Sequence, residues 1–340
     1  MKMETTNNKT KLKNYIVTKS QSKDPITIID DNDSGIFEGH RTKRRVLIKN
    51  DENVKFLIET LKSPTATYVT HEKAKIVKGI EPEYLSAIKI FHSLTEQPKT
   101  TNDTLACQLL NYFQIPTAMY FNVLQDNNEA EQQTSNSKFS TYTISLNFLG
   151  ENETFETFLM LNEFPYDLDS FLTSVDRIVD QKHKPTTPFI HLADIRKIND
   201  KKQELREKFA YTYLVRKLFL GDSDFSAQNA GIIFNNKTKQ LDLAPNFDLE
   251  LCIDSSRIPW MTDINLPEDL RILKNQYPQV LDTFLTRARN LFTINPETNK
   301  MVIDEIKENT PFIRDDNFDK AKEILSGNLK LIEYQKDMTI

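Results

Sequence analysis

Glycine is scarce in this sequence, with seven in 340 residues. In such a chain each glycine is expected where the backbone needs a positive φ or a close approach, which makes Gly35, Gly39, Gly221 and Gly231 markers. Cysteine is scarcer still. Cys107 and Cys252 lie far apart and make neither a disulfide framework nor a CxxC pattern, which favours a reducing compartment. His71, His92, His183 and His191 show no ligand spacing with one another or with cysteine, so a zinc site is not expected. No stretch approaches ~18 uninterrupted apolar residues, and the start MKMETTNNKTKLKN has no apolar core that could serve as a signal peptide. The expectation is a soluble chain without a transmembrane segment, cytoplasmic or secreted into a host cell without a cleaved signal. A net charge of -5 gives no general reason to expect nucleic-acid binding. No internal repeat is present.

What is there suffices for a core. Hydrophobic residues at 38% and aromatics at 10% argue against global disorder, and the length suggests two lobes at ~150 residues each. Residues 1–24 read as a polar, lysine-rich arm. From residue 25 the pattern turns to β: ITII at 26–29, the turn DDNDSG, then GIFEGHRTKRRVLIK at 35–49 as a second antiparallel strand. Helices are expected from about Glu52 to Leu61, over EPEYLSAIKIFHSL (81–94), and over NDTLACQLLNYFQI (102–115) with Asn102 as N-cap and Pro116 just beyond. After a polar loop at 126–138, TYTISLNFL and FETFLMLNEF suit two more strands of a sheet, and Pro165 closes the β-rich half. The rest reads as helical, through SFLTSVDRIV, KKQELREKFAYTYLVRKLFL and several helices between 267 and 334, interrupted by one hairpin in which IIF and LDL flank NNKTKQ. The expected fold class is α+β and bilobal, with a β-rich N-lobe over 25–164 carrying a helical insertion and a helical C-lobe over 165–340.

The chemistry concentrates in FLGDSDFSAQNAGIIF, where Asp224 and Asn229 stand five apart between two apolar runs. Phosphoryl transfer from ATP asks little covalent work of a protein. Phosphates must be held, a metal bound and a hydroxyl oriented. Gly35 and Gly39 would form a turn over the phosphates, and Lys49, ending the strand VLIK, would present its ammonium to them. A helix carboxylate would fix that lysine, with Asp103, Glu81 and Glu83 as candidates. Asp224 would accept the proton of the acceptor hydroxyl, and Asn229 and Asp248, the latter in APNFDLE after the hairpin, would hold Mg2+. Each of these alone has a bland reading as a solvated lysine, a turn or a cap. Their succession along the chain is what singles them out.

LFLGDSDFSAQNAGIIF followed by LDLAPNFDLE resembles the catalytic loop and metal-binding segment of HipA-like serine/threonine kinases, a bacterial branch of the protein-kinase-like fold, and NDTLACQLLNYFQIP is similar to their αC region. The similarity spans roughly 35–250 and is sharpest at 219–250. It implies Lys49 paired with Asp103, where the family usually has glutamate, Asp224 as catalytic base, and Asn229 and Asp248 as magnesium ligands. The family commonly carries histidine two residues after the base, where this chain has Ser226. An insertion lies between Lys49 and Asp103, and no counterpart of the extra N-terminal domain of full-length HipA toxins is expected. Small divergent members of this kind resemble kinases that bacterial pathogens deliver into host cells.

A hinge for adenine is expected at Leu161 to Phe164, with Glu163 and Phe164 around the base. The basic run HRTKRRVLIK, with Arg41, Lys43, Arg45 and Lys49 in one strand phase, suits an anionic small molecule or lipid head group, although a solvated edge explains it as well. Trp260 reads as a packing anchor. The expected function is ATP- and Mg-dependent phosphorylation of a protein serine or threonine, with autophosphorylation at loop hydroxyls such as Ser135, Ser137 and Ser140. A phosphoinositide kinase and a kinase-like binding module without turnover are the alternatives.

Overall fold

The structure is a computed structural model that describes residues 17–19, 21–22, 25–30, 43–44, 46–49, 55–58, 88–92, 98–126, 139–146, 148, 153–159, 161, 163, 165–180, 201–235, 237–238, 240–249, 251–253, 266–310 and 313–338. Within 25–101, 123–126 and 139–146 the description is of backbone alone. Contacts divide the chain into two compact units. The first contains Met1–Thr104, Ala118–Phe148 and Thr310–Ile313, the second Leu105–Thr117, Leu149–Asn309 and Arg314–Ile340.

The first unit holds a seven-stranded sheet made of β1 (Pro25–Asp30), β2 (Lys43–Arg44), β3 (Val46–Lys49), β4 (Lys55–Ile58), β5 (Ile88–His92), β6 (Tyr120–Asp126) and β7 (Phe139–Leu146), in the order β2-β5-β7-β6-β1-β3-β4. The expected pairing of 26–29 with the VLIK run is present, with Ile28 opposite Ile48 and Thr27 opposite Lys49. The basic run is not one strand. Lys43 and Arg44 pair with Phe91 and Ile90 at one end of the order, while Val46–Lys49 pairs with β1 and β4 near the other. Only Arg45 separates the two stretches, a span of about 7 Å at most, so the sheet rolls until its ends approach each other.

Two expected helices are strands. Lys55–Ile58 pairs with β3, setting Phe56 against Ile48 and Leu57 against Leu47, and Ile88–His92 pairs with β7, setting Ile90 against Ile144. Their apolar runs are four or five residues long, too short for periodicity to separate a strand from a helix, and cross-strand partners decide. Strand β6 was not expected; it pairs along its whole length with β7 and joins β1 in parallel.

Helix α1 (Pro98–Tyr112) begins four residues before Asn102, at a proline suited to a first turn, so Asn102 lies inside it and not at its cap. Its C-terminus closes as a Schellman motif. Gln114 takes φ 61, its N–H donates to Asn111 O at 2.9 Å, and the N–H of Ile115 donates to Leu110 O at 2.9 Å. Thr104 Oγ1 donates to Asn122 Oδ1 at 2.8 Å, fastening the helix start to β6.

In the second unit β8 (Glu153–Thr157) pairs with β9 (Gly231–Asn235), which pairs in turn with β10 (Gln240–Leu243). The hairpin is as expected. The strand expected through Phe164 stops at Thr157, and it belongs to this three-stranded sheet, not to the N-terminal one. Helix α2 (Leu168–Val179) starts on a capping box, with the N–H of Ser170 donating to Asp167 Oδ1 at 2.9 Å and the N–H of Asp167 donating to Ser170 Oγ at 3.0 Å. Its Leu168, Phe171, Leu172, Val175, Ile178 and Val179 are buried at helical spacing. Helix α3 (Lys202–Tyr213) runs into a six-residue π-helical turn, Leu214–Phe219. Among the described residues four further helices follow: α4 (Leu266–Gln276), α5 (Pro278–Leu291), α6 (Val302–Glu308) and α7 (Asp315–Met338). A short β11–β12 ribbon (Ile294–Asn295, Lys300–Met301) precedes α6.

Aromatic rings fill the centre of this unit. Phe171 stacks on Phe209 at 5.0 Å and on Phe225 at 5.4 Å between centroids, with Phe158 edge-on at 5.7 Å. Phe113, Phe219 and Phe284 form a second group, joined pairwise at 5.4 to 5.8 Å. Each such ring contributes by area burial and by ring-to-ring geometry, and Phe225 carries the first group directly beneath the residue of interest, Asp224.

Candidate phosphotransfer site

The π-helical turn ends on Gly221, whose φ of +65 suits a residue without Cβ and reverses the chain into the loop 222–230. Asp222 follows, fully buried, and its Oδ1 accepts the N–H of Asp224 at 2.9 Å. This carboxylate-to-backbone bond shapes the turn so that the side chain of Asp224 stands exposed. Asn229, 7% exposed, closes the loop from its far end. Its Nδ2 donates to Asp224 Oδ2 at 2.8 Å and to Asp224 O at 2.9 Å. With the amide nitrogen committed to Asp224, Oδ1 is the end of Asn229 suited to a cation.

Asp248 lies beyond the hairpin at φ 57, a left-handed conformation uncommon outside glycine, although aspartate adopts it more readily than most. Although Asp224 is exposed as a residue, its carboxyl is partly enclosed by the loop, and that partial desolvation raises its pKa above the ordinary aspartate value, with the negative charges of Asp222 and Asp248 adding to it and the Asn229 bond opposing. Asp224 and Asp248 therefore sense each other's charge. A divalent cation held by Asn229 Oδ1 and the Asp248 carboxylate would relieve that repulsion. The donor set fits Mg2+, which takes one or two protein oxygens and completes its octahedron with phosphates and water. Among the described residues no three His, Cys, Asp or Glu gather into an all-protein metal cage.

Arg216, in the π-helical turn and fully buried, stands behind all of this. Its Nε donates to Asp222 Oδ2 at 2.5 Å, Nη1 to Asn229 O at 3.1 Å and Asn246 Oδ1 at 3.2 Å, and Nη2 to Asp248 O at 3.1 Å. Its guanidinium carbon sits 4.7 Å from the centroid of Phe225. Asn246 continues the network to the turn after α1, donating through N and Nδ2 to Pro116 O at 2.9 and 3.1 Å. Arg287 of α5 holds the same turn through Phe113 O and Gln114 Oε1, both at 2.6 Å. Lys217 Nζ donates to Phe225 O at 3.4 Å, and burial lowers its pKa. A cavity of about 20 Å³ lined by Phe225, Asn229, Gly231 and Asn246 has room for one water.

Arg216, Asp222 and Asn246 were not singled out from sequence. Arg216 sits in the charged run KKQELREKFAYTYLVRKLFL, where an arginine reads as solvated, and Asp222 reads as an ordinary turn residue. The usable signal was the paired aspartates of GDSD directly after a helix.

The remaining expected residues belong to the first unit, to other parts of the second, or to the residues outside the description. Lys49 closes β3 opposite Thr27 and Lys55, and Asp103 is buried in α1, both within the first unit. Gly35, Gly39, Glu81, Glu83 and Phe164 lie outside the described residues, as does Trp260. Glu163 is buried, and its Oε2 accepts from Ser174 Oγ at 2.9 Å and Arg177 Nη1 at 3.2 Å. Its N–H donates to Phe158 O at 2.9 Å. No helix among the described residues is long and apolar enough to cross a membrane.

No family model matches the sequence, and no curated protein matches it. Among solved structures, the proinflammatory kinase CtkA of Helicobacter pylori is similar in fold with a TM-score of 0.51 at 14% identity, over 93% of this chain and 98% of that one. HipA of Shewanella oneidensis MR-1, solved with HipB and operator DNA, gives a TM-score of 0.47 at 11% identity, over 91% of this chain and 68% of that one. At the first of these values the likeness is one of fold. The chain has a mixed helix-and-sheet fold like that of a kinase, which agrees with the resemblance carried by residues 219–250.

Proposed function

We propose that this chain is an ATP- and Mg2+-dependent protein serine/threonine kinase of HipA-like type. One observation carries the reading: Asp224, Asn229 and the backbone of Asp248 are tied together through Asp222 and Arg216, with the Asp224 carboxylate exposed and its Asn229 neighbour oriented by two hydrogen bonds. The kinase-like fold supports it.

In this reading Asp224 accepts the proton of a serine or threonine hydroxyl as the γ-phosphoryl transfers to that oxygen. Asn229 and Asp248 hold Mg2+, which neutralises charge on the phosphates when bound. Lys49 and Asp103 are assigned to the α and β phosphates and to the pairing of that lysine, and Gly35 and Gly39 to the turn above them. The basic residues near 41–49 remain the candidate contact for an anionic regulator or lipid head group.

Transfer of labelled γ-phosphate from Mg·ATP tests the proposal, with wild type compared against Asp224→Ala and Asp248→Ala, and with host-type extract or lipid vesicles as acceptors. Loss of about 10²-fold or more in both variants is expected, with label on protein hydroxyls. Label found only on lipid would overturn the choice of acceptor. ATP binding without any transfer would overturn the enzymatic reading.

A further inference from the structure

We infer that Arg216 is the positioning residue of this site, a buried guanidinium that locks the base loop and the metal segment into one geometry. The inference rests on the phosphotransfer reading and adds to it a residue that touches neither nucleotide nor acceptor. Each residue assigned to chemistry in the second unit lies one or two hydrogen bonds from this group. Asn229 and Asp248 are held by their own carbonyls, at 3.1 Å each. Asp224 is held through Asp222, whose two oxygens divide between Arg216 Nε and the N–H of Asp224. Because these contacts fall on main chain, they fix position and leave the side chains of Asp224, Asn229 and Asp248 available for their work.

The backbone shows what is being held. The metal segment has two residues in the left-handed region, Asp248 at φ 57 and the β-branched Ile253 at φ 57. Such conformations persist only where the surroundings over-determine them. The carbonyl of Asp248 is bound by Arg216, and the N–H of Ile253 donates to Leu220 O at 2.8 Å. Both strained positions are thus tied to one turn of chain, 216–220. The π-helical geometry delivers Arg216 into the interior there, and wide turns of this kind recur at functional sites.

A buried ion pair kept for stability alone is a weak explanation, since apolar residues of similar volume often replace such pairs without loss. Stability also gives no reason for four acceptors divided between the loop 222–229 and the segment 246–248. A planar fork with fixed donor directions does.

The test separates stability from geometry. Arg216→Lys keeps a charge beside Asp222 but cannot reach the remaining acceptors. The double variant Arg216→Met/Asp222→Leu removes both charges, so that no lone buried carboxylate unfolds the chain. Leu273→Ala, in the buried face of α4, serves as a control destabilised elsewhere. Each is measured for thermal midpoint, for Mn2+ binding in the presence of ATP by electron paramagnetic resonance, and for kcat and the KM for ATP.

The expected result is that folded Arg216 variants lose about 10–100-fold in Mn2+ affinity and about 10²-fold in kcat, with the KM for ATP moving far less. Leu273→Ala should lose midpoint alone. Folded Arg216 variants with wild-type Mn2+ affinity and kcat would overturn the inference while leaving the phosphotransfer reading intact. So would failure of both variants to fold, which would make Arg216 a stability element, or an equal loss in the control. A wild type that binds no Mn·ATP would overturn the phosphotransfer reading, and the inference with it.

Discussion

Replacing Gly231 with alanine sets a methyl group against a strand that has no room for it. The added Cβ would lie 2.3 Å from the carbonyl oxygen of Glu156, 2.8 Å from the Phe155 ring and 2.9 Å from Thr157 Cα. Two of these three neighbours are backbone, so β8 and β9 must separate by about 1 Å to restore an ordinary contact distance, and overpacking of this kind costs ~1–3 kcal/mol. The bonds beside it weaken as well. Phe158 N–H donates to Ala230 O and Ala244 N–H to Gly231 O, both at 3.0 Å, and each is worth roughly 1 kcal/mol. The smaller entropy of the unfolded alanine chain returns about 0.4–1 kcal/mol. The net loss is about 2–4 kcal/mol, or a midpoint lowered by about 5–15 °C in a unit of this size. Gly327, inside α7 with nothing within 4 Å of an added Cβ, provides the opposite case. There alanine should stabilise by ~0.5–1 kcal/mol. Thermal and urea unfolding of the two variants measure this difference in sign. A Gly231→Ala protein within about 0.5 kcal/mol of wild type would refute the packing argument.

Three further outcomes follow from the second unit. Asp269 accepts from the Tyr213 hydroxyl at 2.9 Å and the Leu168 N–H at 3.2 Å, and burial pushes its carboxyl up to about 6 from 3.8. The folded chain therefore keeps a proton that the unfolded chain releases first. The stability this provides is complete below about pH 4 and lost as pH rises to about 6, by up to ~3 kcal/mol, and urea midpoints of Asp269→Asn should lack that decline. Phe171→Ala removes the ring shared by Phe158, Phe209 and Phe225 and should cost about 3–5 kcal/mol in urea unfolding. Asp167→Ala opens the capping box of α2 and should cost about 1 kcal/mol, read from the thermal midpoint.

The parts legible in the sequence were those with short-range signals. The closeness of Asp224 and Asn229 was readable because they stand five apart in one short loop between two apolar runs, and the hairpin after them because NNKTKQ is turn chemistry. The helix expected through SFLTSVDRIV is present as α2. Signals failed where a run was short and its partners distant. KFLI at 55–58 and IKIFH at 88–92 carry no period of their own, and β3 and β7 make them strands. β6 went unread because its sequence YFNVLQD mixes both phases until β7 is placed beside it. Arg216 was hidden for a geometric reason: an arginine in a charged helix faces solvent at a period of 3.6 residues, and the period changes at Leu214.

That change of period makes length itself a specification. A wide turn at 214–219 is equivalent to one residue inserted into a regular helix, and deleting a single residue there would return this stretch to the 3.6-residue repeat of α3 while leaving the chain beyond it close to its present direction. The guanidinium would leave its carboxylate. Substitutions on the outer face of α3 can accumulate without touching the loop that follows, whereas a frame-preserving loss of one codon in this stretch would unmake it. The segment acts as a ruler for the site, counted in residues and nearly indifferent to the side chains that line its solvent face.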